Sequence, residues 1–197
     1  MAPRAAALRI VPLTKARWPD FETLFGPRGA CGGCWCMTPR LSRRDYEARK
    51  GEKNRRAMKR LVERGPPPGL LTYRGREPVA WIALGPRGDY RRLAGSRILA
   101  PVDDQPVWSI VCLYLRKDVR RQGLSTELIR AATAFARKQG ARLVEAYPHV
   151  PKQDAMPDVF AWTGMASSFT KAGFTEVARR SPTRPIMRQA VRSPPRH

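Results

Sequence analysis

Two stretches of the chain gather residue types that could do chemistry. The first, RKDVRRQGLST, runs from Arg116 to Thr126 and joins four basic side chains to a glycine and two hydroxyls. It follows an apolar run, Trp108 to Leu115, and leads into a segment of helical periodicity that starts at Gly123. A strand that ends in basic residues and starts a helix directly presents unpaired backbone N–H groups and the positive end of a helix dipole to a phosphate. Gly123 lets that backbone come close, while Ser125 and Thr126 are small hydroxyl donors. The same composition also makes a plain solvated helix cap, so the local pattern alone supports both readings.

The second stretch, RGACGGCWCMTPR from Arg28 to Arg40, places Cys31, Cys34 and Cys36 within six residues. Zinc takes four ligands, and Cys112, His149 and His197 are what the rest of the chain offers to complete a set. The spacing of Cys31 and Cys34 is that of redox motifs, but those sit where a strand feeds a helix whose start lowers a thiol pKa. A third reading makes the stretch a pocket wall, with Trp35 and Met37 supplying an apolar surface of adaptable shape.

Periodicity supplies the elements that must hold these stretches. Leu8 to Leu13 reads as a strand, and Trp18 to Phe25 as a helix with Trp18, Phe21, Leu24 and Phe25 on one side. Ser42 caps a basic helix that Gly51 divides and GPPPG, Gly65 to Gly69, ends. A hairpin from Leu70 to Leu84 follows, and then Gly85 to Pro106, which lacks periodicity and reads as a surface excursion. Trp108 to Leu115 is apolar on both faces, the mark of a buried central strand, and its helix spans Gly123 to Gln139. RLVEAY, a helix from Thr163 to Ala172, and strands in FTEVARR and RPIMRQAV complete an α+β order. At 197 residues one domain is expected, over 7–191, between tails of 1–6 and 192–197.

The formal net charge of +22 would attract nucleic acid, an anionic membrane surface or acidic small molecules. Arginine is spread along the chain and no aromatic-interleaved basic motif of a nucleic-acid module occurs, so nucleic acid is not the expected partner. No apolar run reaches the roughly 20 residues of a membrane-spanning helix, and the start lacks a signal-peptide pattern. The expectation is a cytoplasmic protein with no membrane partner.

RRQGLS, Arg120 to Ser125, resembles the acyl-CoA signature of the GNAT N-acetyltransferase superfamily, and LYLRKDV resembles that family's fourth strand and turn. FTKAGFTEVAR, Phe169 to Arg179, is similar to its late segment, where a short helix ends in Gly-Phe before a strand. The resemblance implies a single α+β domain with a mixed, mostly antiparallel sheet of about six to seven strands flanked by helices. It implies acetyl-CoA as co-substrate and no metal. Leu113 and Leu115 would offer backbone groups to the pantetheine arm, and Arg120, Arg121, Gln122, Gly123, Leu124, Ser125 and Thr126 would surround the pyrophosphate. Ser125 departs from the usual glycine or alanine, and Lys117 stands where relatives often carry proline.

In the implied reaction an acceptor amine attacks the thioester directly, so one group must take a proton and another return one to the leaving thiolate. Relatives often carry tyrosine four residues before the late glycine, where this chain has Phe169, which leaves Tyr147, Ser168 or water as proton donor. Where some relatives have a glutamate on the fourth strand this chain has Ser109, which could order a water. Glu145 is the remaining carboxylate near the site, and strand alternation sets Leu143, Glu145 and Tyr147 on one face. Asp154, Asp158 and His149 fall in the loop beyond. The cysteine stretch lies in the connection that covers the acceptor end in the family, which makes Trp35 and Met37 acceptor-wall candidates.

The function expected is N-acetyl transfer to a small neutral or anionic amine, the charge of the chain disfavouring a polycation. A cofactor-binding module without turnover, and a modifier of RNA or ribosomal protein, are the alternatives. A second copy of the chain is a further candidate partner.

Overall fold

Seven strands pair into one sheet in the order β1-β2-β3-β4-β5-β7-β6 in the computed structural model, which describes residues 7–151 and 162–191. The strands are β1 (Leu8–Pro12), β2 (Gly69–Arg74), β3 (Glu77–Pro86), β4 (Trp108–Leu115), β5 (Leu143–Ala146), β6 (Thr175–Arg179) and β7 (Pro185–Ala190). All neighbours are antiparallel except β4 and β5, so this is the mixed, mostly antiparallel sheet expected. The expected tails at 1–6 and 192–197, and Asp154 and Asp158, lie outside the described residues.

Helices cover both faces because β3 and β4 are apolar on both. On one face α5 (Leu124–Lys138) and α6 (Ala166–Lys171) bury Leu128, Ile129, Ala132 and Phe169 against Ile82, Ile110 and Leu113. On the other, α1 (Trp18–Phe25) sets Phe21 edge-on to Trp81 of β3, with ring centroids 5.0 Å apart. Two further helices follow, α2 (Arg43–Arg49) and α3 (Glu52–Arg64). Ser42 caps α2 by accepting from the Asp45 N–H, and the chain breaks between α2 and α3 at Gly51, whose φ of +77° a side chain would strain.

The segment from Gly85 to Pro106 runs mostly exposed, as its lack of periodicity suggests, and is anchored to the core at a few points. Tyr90, Leu99 and, in the short α4 (Arg91–Ala94), Leu93 are buried in the core cluster of α1 and Trp35. Its apolar residues are spaced for an irregular path over the sheet, a placement no helical or strand period can report.

Candidate active site

β4 and β5 are paired over three residues only, Trp108 with Val144 through Ile110 with Ala146. β4 then continues to Leu115 while β5 stops, so the two parallel strands part. Just there β4 carries a bulge: Ala83 opposes Cys112 and Leu84 opposes Ile110, which leaves Val111 without a partner on β3. Past the bulge the Leu113 N–H, one of the groups expected to serve the pantetheine arm, donates to the Trp162 carbonyl at 2.7 Å. The neighbouring Gly164 carbonyl accepts from the His149 N–H, so residues 162–165 lie between β4 and the chain that leaves β5. The carbonyl of Leu115, the second expected group, accepts from Arg120 Nε at 2.9 Å.

The start of α5 has the features that suit an anion. Arg121 (φ +59°) and Gly123 (φ +81°) both have left-handed backbone, which bends the chain sharply just before the helix. No side chain caps the helix; the Thr126 N–H turns back to the Gly123 carbonyl at 3.0 Å, and the N–H groups of Leu124 and Ser125 are left at the positive end of a 15-residue dipole. A Cβ at Gly123 would meet no atom within 4 Å, which leaves the space above the turn open. Gln122 faces away, held by Arg74 and by the Asp118 carbonyl. The arrangement fits the pyrophosphate of acetyl-CoA.

A buried polar network occupies the other face of the parting strands. Glu145 is 0% exposed and is clamped by two guanidiniums, Arg87 Nη1 at 2.9 Å and Arg188 Nε at 2.7 Å. Arg188 continues to Asp103 at 2.6 Å, and Arg87 to the Leu99 carbonyl at 2.6 Å. The Tyr147 hydroxyl donates to Glu145 Oε1 at 2.5 Å, accepts from Arg87, and lies 2.9 Å from Ser109 Oγ. Burial and the Glu145 charge push the Tyr147 phenol well above its ordinary pKa, so it keeps its proton at neutral pH. The three catalytic candidates Ser109, Glu145 and Tyr147 are thus brought into one hydrogen-bonded chain. Phe169 is buried against Phe174 on the opposite face, 5.2 Å between centroids.

Arg87, Arg188 and Asp103 escaped the sequence reading. Arg188 stands opposite Glu145 in the β5–β7 register, a cross-strand opposite-charge pair that alignment of the two strand patterns could have exposed. Nothing local marked Arg87 or Asp103, which arrive from the irregular Gly85–Pro106 segment.

Trp35 and Met37 are both buried, and they line different clefts. Trp35 stacks on Phe25 at 5.9 Å and borders a cleft of about 540 Å³ with Glu22, Glu52 and Arg55. Met37 borders a second, of about 330 Å³, floored by Ala57 and Leu61 and rimmed by Arg40, Arg60 and Arg64. Cys31 is exposed, Cys34 donates to the Gly29 carbonyl, and Cys36 is buried against Cys112. Among the described residues no group of three or more His, Cys, Asp or Glu is placed to hold a metal.

His149 is half-buried with Arg184 donating to its ring, and burial, then the Arg184 charge, lowers its pKa to about 4. The imidazole stays neutral in the fold yet binds a proton in the unfolded chain below about pH 6.5. Its contribution to stability is therefore complete above pH 6.5 and is lost as pH falls toward 4. Melting curves at pH 7 and pH 5 should differ less for His149→Gln than for the native protein, by about 1 kcal/mol once solvent screening is allowed for. Equal differences would remove His149 from the acid response.

The profile of the acetyltransferase (GNAT) family matches residues 35–160. Among solved structures, the chain resembles PaiA N-acetyltransferase from Thermoplasma acidophilum in complex with coenzyme A, with 15% identity over 94% of this chain and 99% of that one and a TM-score of 0.54. PH1933 from Pyrococcus horikoshii is similar at 14% identity, 94% and 99% coverage and a TM-score of 0.55. Polyamine N-acetyltransferase of Drosophila melanogaster is similar at 10% identity, 94% and 100% coverage and a TM-score of 0.53. At these identities the likeness to the solved structures is one of fold. No curated protein matches the sequence. Among the described residues no helix is long and apolar enough to cross a membrane.

Proposed function

The chain belongs to the acetyltransferase (GNAT) family and is an acetyl-CoA-dependent N-acetyltransferase, and on that premise we propose that its acceptor is a small neutral or anionic amine that attacks the thioester directly. Bound acetyl-CoA supplies the activated acyl group. The main-chain N–H groups from Arg121 to Ser125, flanked by Arg120, hold the phosphates, and Thr126, whose N–H is taken by the Gly123 carbonyl, offers its hydroxyl. Leu113 and Leu115 offer their backbone to the pantetheine arm, for which the Trp162 carbonyl must release the Leu113 N–H.

Tyr147 returns the proton to the departing thiolate, in the role that Phe169 cannot take. Its hydroxyl is neutral and donates to Glu145 while accepting from Arg87 and lying beside Ser109, so delivery requires the proton to turn from Glu145 toward the gap where β4 and β5 part. Glu145 acts through Tyr147: with both oxygens on arginines it is a poor acceptor for an amine proton, which goes to solvent. The acceptor preference rests on the cleft beside Met37, lined by Arg40, which is paired with Asp89, and by Arg60 and Arg64. An amine that also bears a carboxylate over an apolar stem suits that lining.

The observation that carries the reading is the uncapped, left-handed turn into α5. Acetyl-CoA is expected to raise the melting temperature, and thiol release should follow addition of amino-carboxylates or neutral amines before polyamines. No thermal shift at millimolar acetyl-CoA would overturn the cofactor site, and fastest release with a polyamine would overturn the acceptor class. Tyr147→Phe should lower kcat by about 10²-fold while leaving the acetyl-CoA thermal shift in place. An unchanged kcat would hand the proton to solvent.

A further inference from the structure

The two thiols that the polar network does not use are the closest pair of reactive groups left in the core. Cys36 Sγ lies 3.0 Å from Cys112 Sγ, inside the ordinary contact distance of two sulfurs and about 1 Å from bonding distance. Both are free thiols, 2% and 8% exposed. Each is delivered by an irregular piece of backbone. Cys36 (φ +54°) and Trp35 (φ +41°) are consecutive non-glycine residues in the left-handed region, a strained arrangement that other contacts must hold. Cys112 follows the unpaired Val111 of the β4 bulge and precedes Leu113. Trp81 Nε1 donates to Cys36 Sγ at 2.8 Å and keeps it turned toward β4. The Cys-x-x-Cys spacing in the same loop is a poorer candidate, since Cys34 is engaged with the Gly29 carbonyl and Cys31 is exposed.

We propose that Cys36 and Cys112 form a reversible disulfide that sets the position of β4 beside the acyl site. With a low-molecular-weight disulfide such as oxidised glutathione as oxidant, one cysteine thiolate attacks the reagent, expels one thiol and forms a mixed disulfide. The second cysteine attacks the protein sulfur of that mixed disulfide and expels the other thiol. The protein loses two electrons and two protons, and the reagent becomes two thiols. Burial pushes the Cys36 thiol up, so the exchange is slow at neutral pH and faster at alkaline pH. The bond would draw Cys112 toward the cysteine loop and carry the Leu113 N–H with it. Its covalent part stands alone, and its effect on turnover rests on the acetyltransferase reading above.

The test is incubation of the native protein in glutathione buffers of rising oxidation, read by intact mass and by non-reducing peptide mapping. The expected product is about 2 Da lighter, joins the Cys36 peptide to the Cys112 peptide, and reverts with dithiothreitol. Oxidised protein should melt higher, because the bond closes a long loop of chain, and should release thiol from acetyl-CoA several-fold more slowly. Cys112→Ser should abolish the cross-link, and Cys31→Ser should leave it intact, which keeps the test decisive if Cys36 variants fold poorly. A thiol count that stays at four, or a bond that maps to Cys31 and Cys34, overturns the proposal. A mapped Cys36–Cys112 bond with no thiol release in either redox state would instead indict the acetyltransferase reading.

Discussion

Replacing Glu145 with alanine is expected to destabilise the fold by about 3–5 kcal/mol, because it strips the carboxylate from two guanidiniums held inside the protein. Arg188 would keep Asp103, but Arg87 would keep only a carbonyl and a phenol oxygen. At roughly 2–4 °C per kcal/mol for a domain of this size, the melting temperature should drop by about 6–20 °C. The network's worth lies in its completeness, so removing charges together should cost less than removing the carboxylate alone. Glu145→Leu combined with Arg188→Met leaves Arg87 without a carboxylate and releases the exposed Asp103 to water, where Glu145→Ala disturbs both guanidiniums, and the double variant should recover several degrees. A melting temperature within 2 °C of native for Glu145→Ala would show that the arginines find water on relaxing, and that the pair does not fix the site.

The same network shows where sequence reading reaches its limit. β4 and α1 were legible because their burial is written in short-range pattern: Trp108 to Leu115 is apolar on both faces, and Trp18, Phe21, Leu24 and Phe25 recur on one side of a helix. The turn into α5 was legible for a related reason, since Gly123 is a local cause of a local geometry. Glu145 could be found as a carboxylate on a strand, but not as a carboxylate between two arginines. Arg87 lies 58 residues before it and Arg188 lies 43 after it, and only the sheet order brings β7 beside β5. Cys36 and Cys112 met for the same reason, across a separation of 76 residues. Spacing made Cys31 and Cys34 the conspicuous pair, whereas positive φ at Trp35 and Cys36 turned the third cysteine inward. Trp35 and Met37 were legible as apolar neighbours, and the same two conformations send them to separate clefts.

Ser125→Asp is expected to separate the cofactor's needs from the fold's. At the second position of α5 a carboxylate faces the positive end of the helix dipole, an arrangement that stabilises by about 0.3–1 kcal/mol. The apo protein should therefore melt at the native temperature or slightly above it. For a bound pyrophosphate the same carboxylate is a like charge at close range. Two unit charges about 4 Å apart repel by about 4 kcal/mol at an effective dielectric of about 20, and solvent screening at this half-exposed position reduces that to about 2 kcal/mol. That is roughly a 30-fold rise in the dissociation constant of acetyl-CoA, readable by calorimetry, and larger at low salt than at high salt. Ser125→Ala, which keeps the space and removes only the hydroxyl, should cost far less. The two signs together are what a phosphate cradle predicts and a solvated helix cap does not: a plain cap would gain the same stability and lose no affinity. Unchanged acetyl-CoA binding by Ser125→Asp would therefore move the phosphates away from α5, and would leave the left-handed turn at Arg121 and Gly123 as a cap alone.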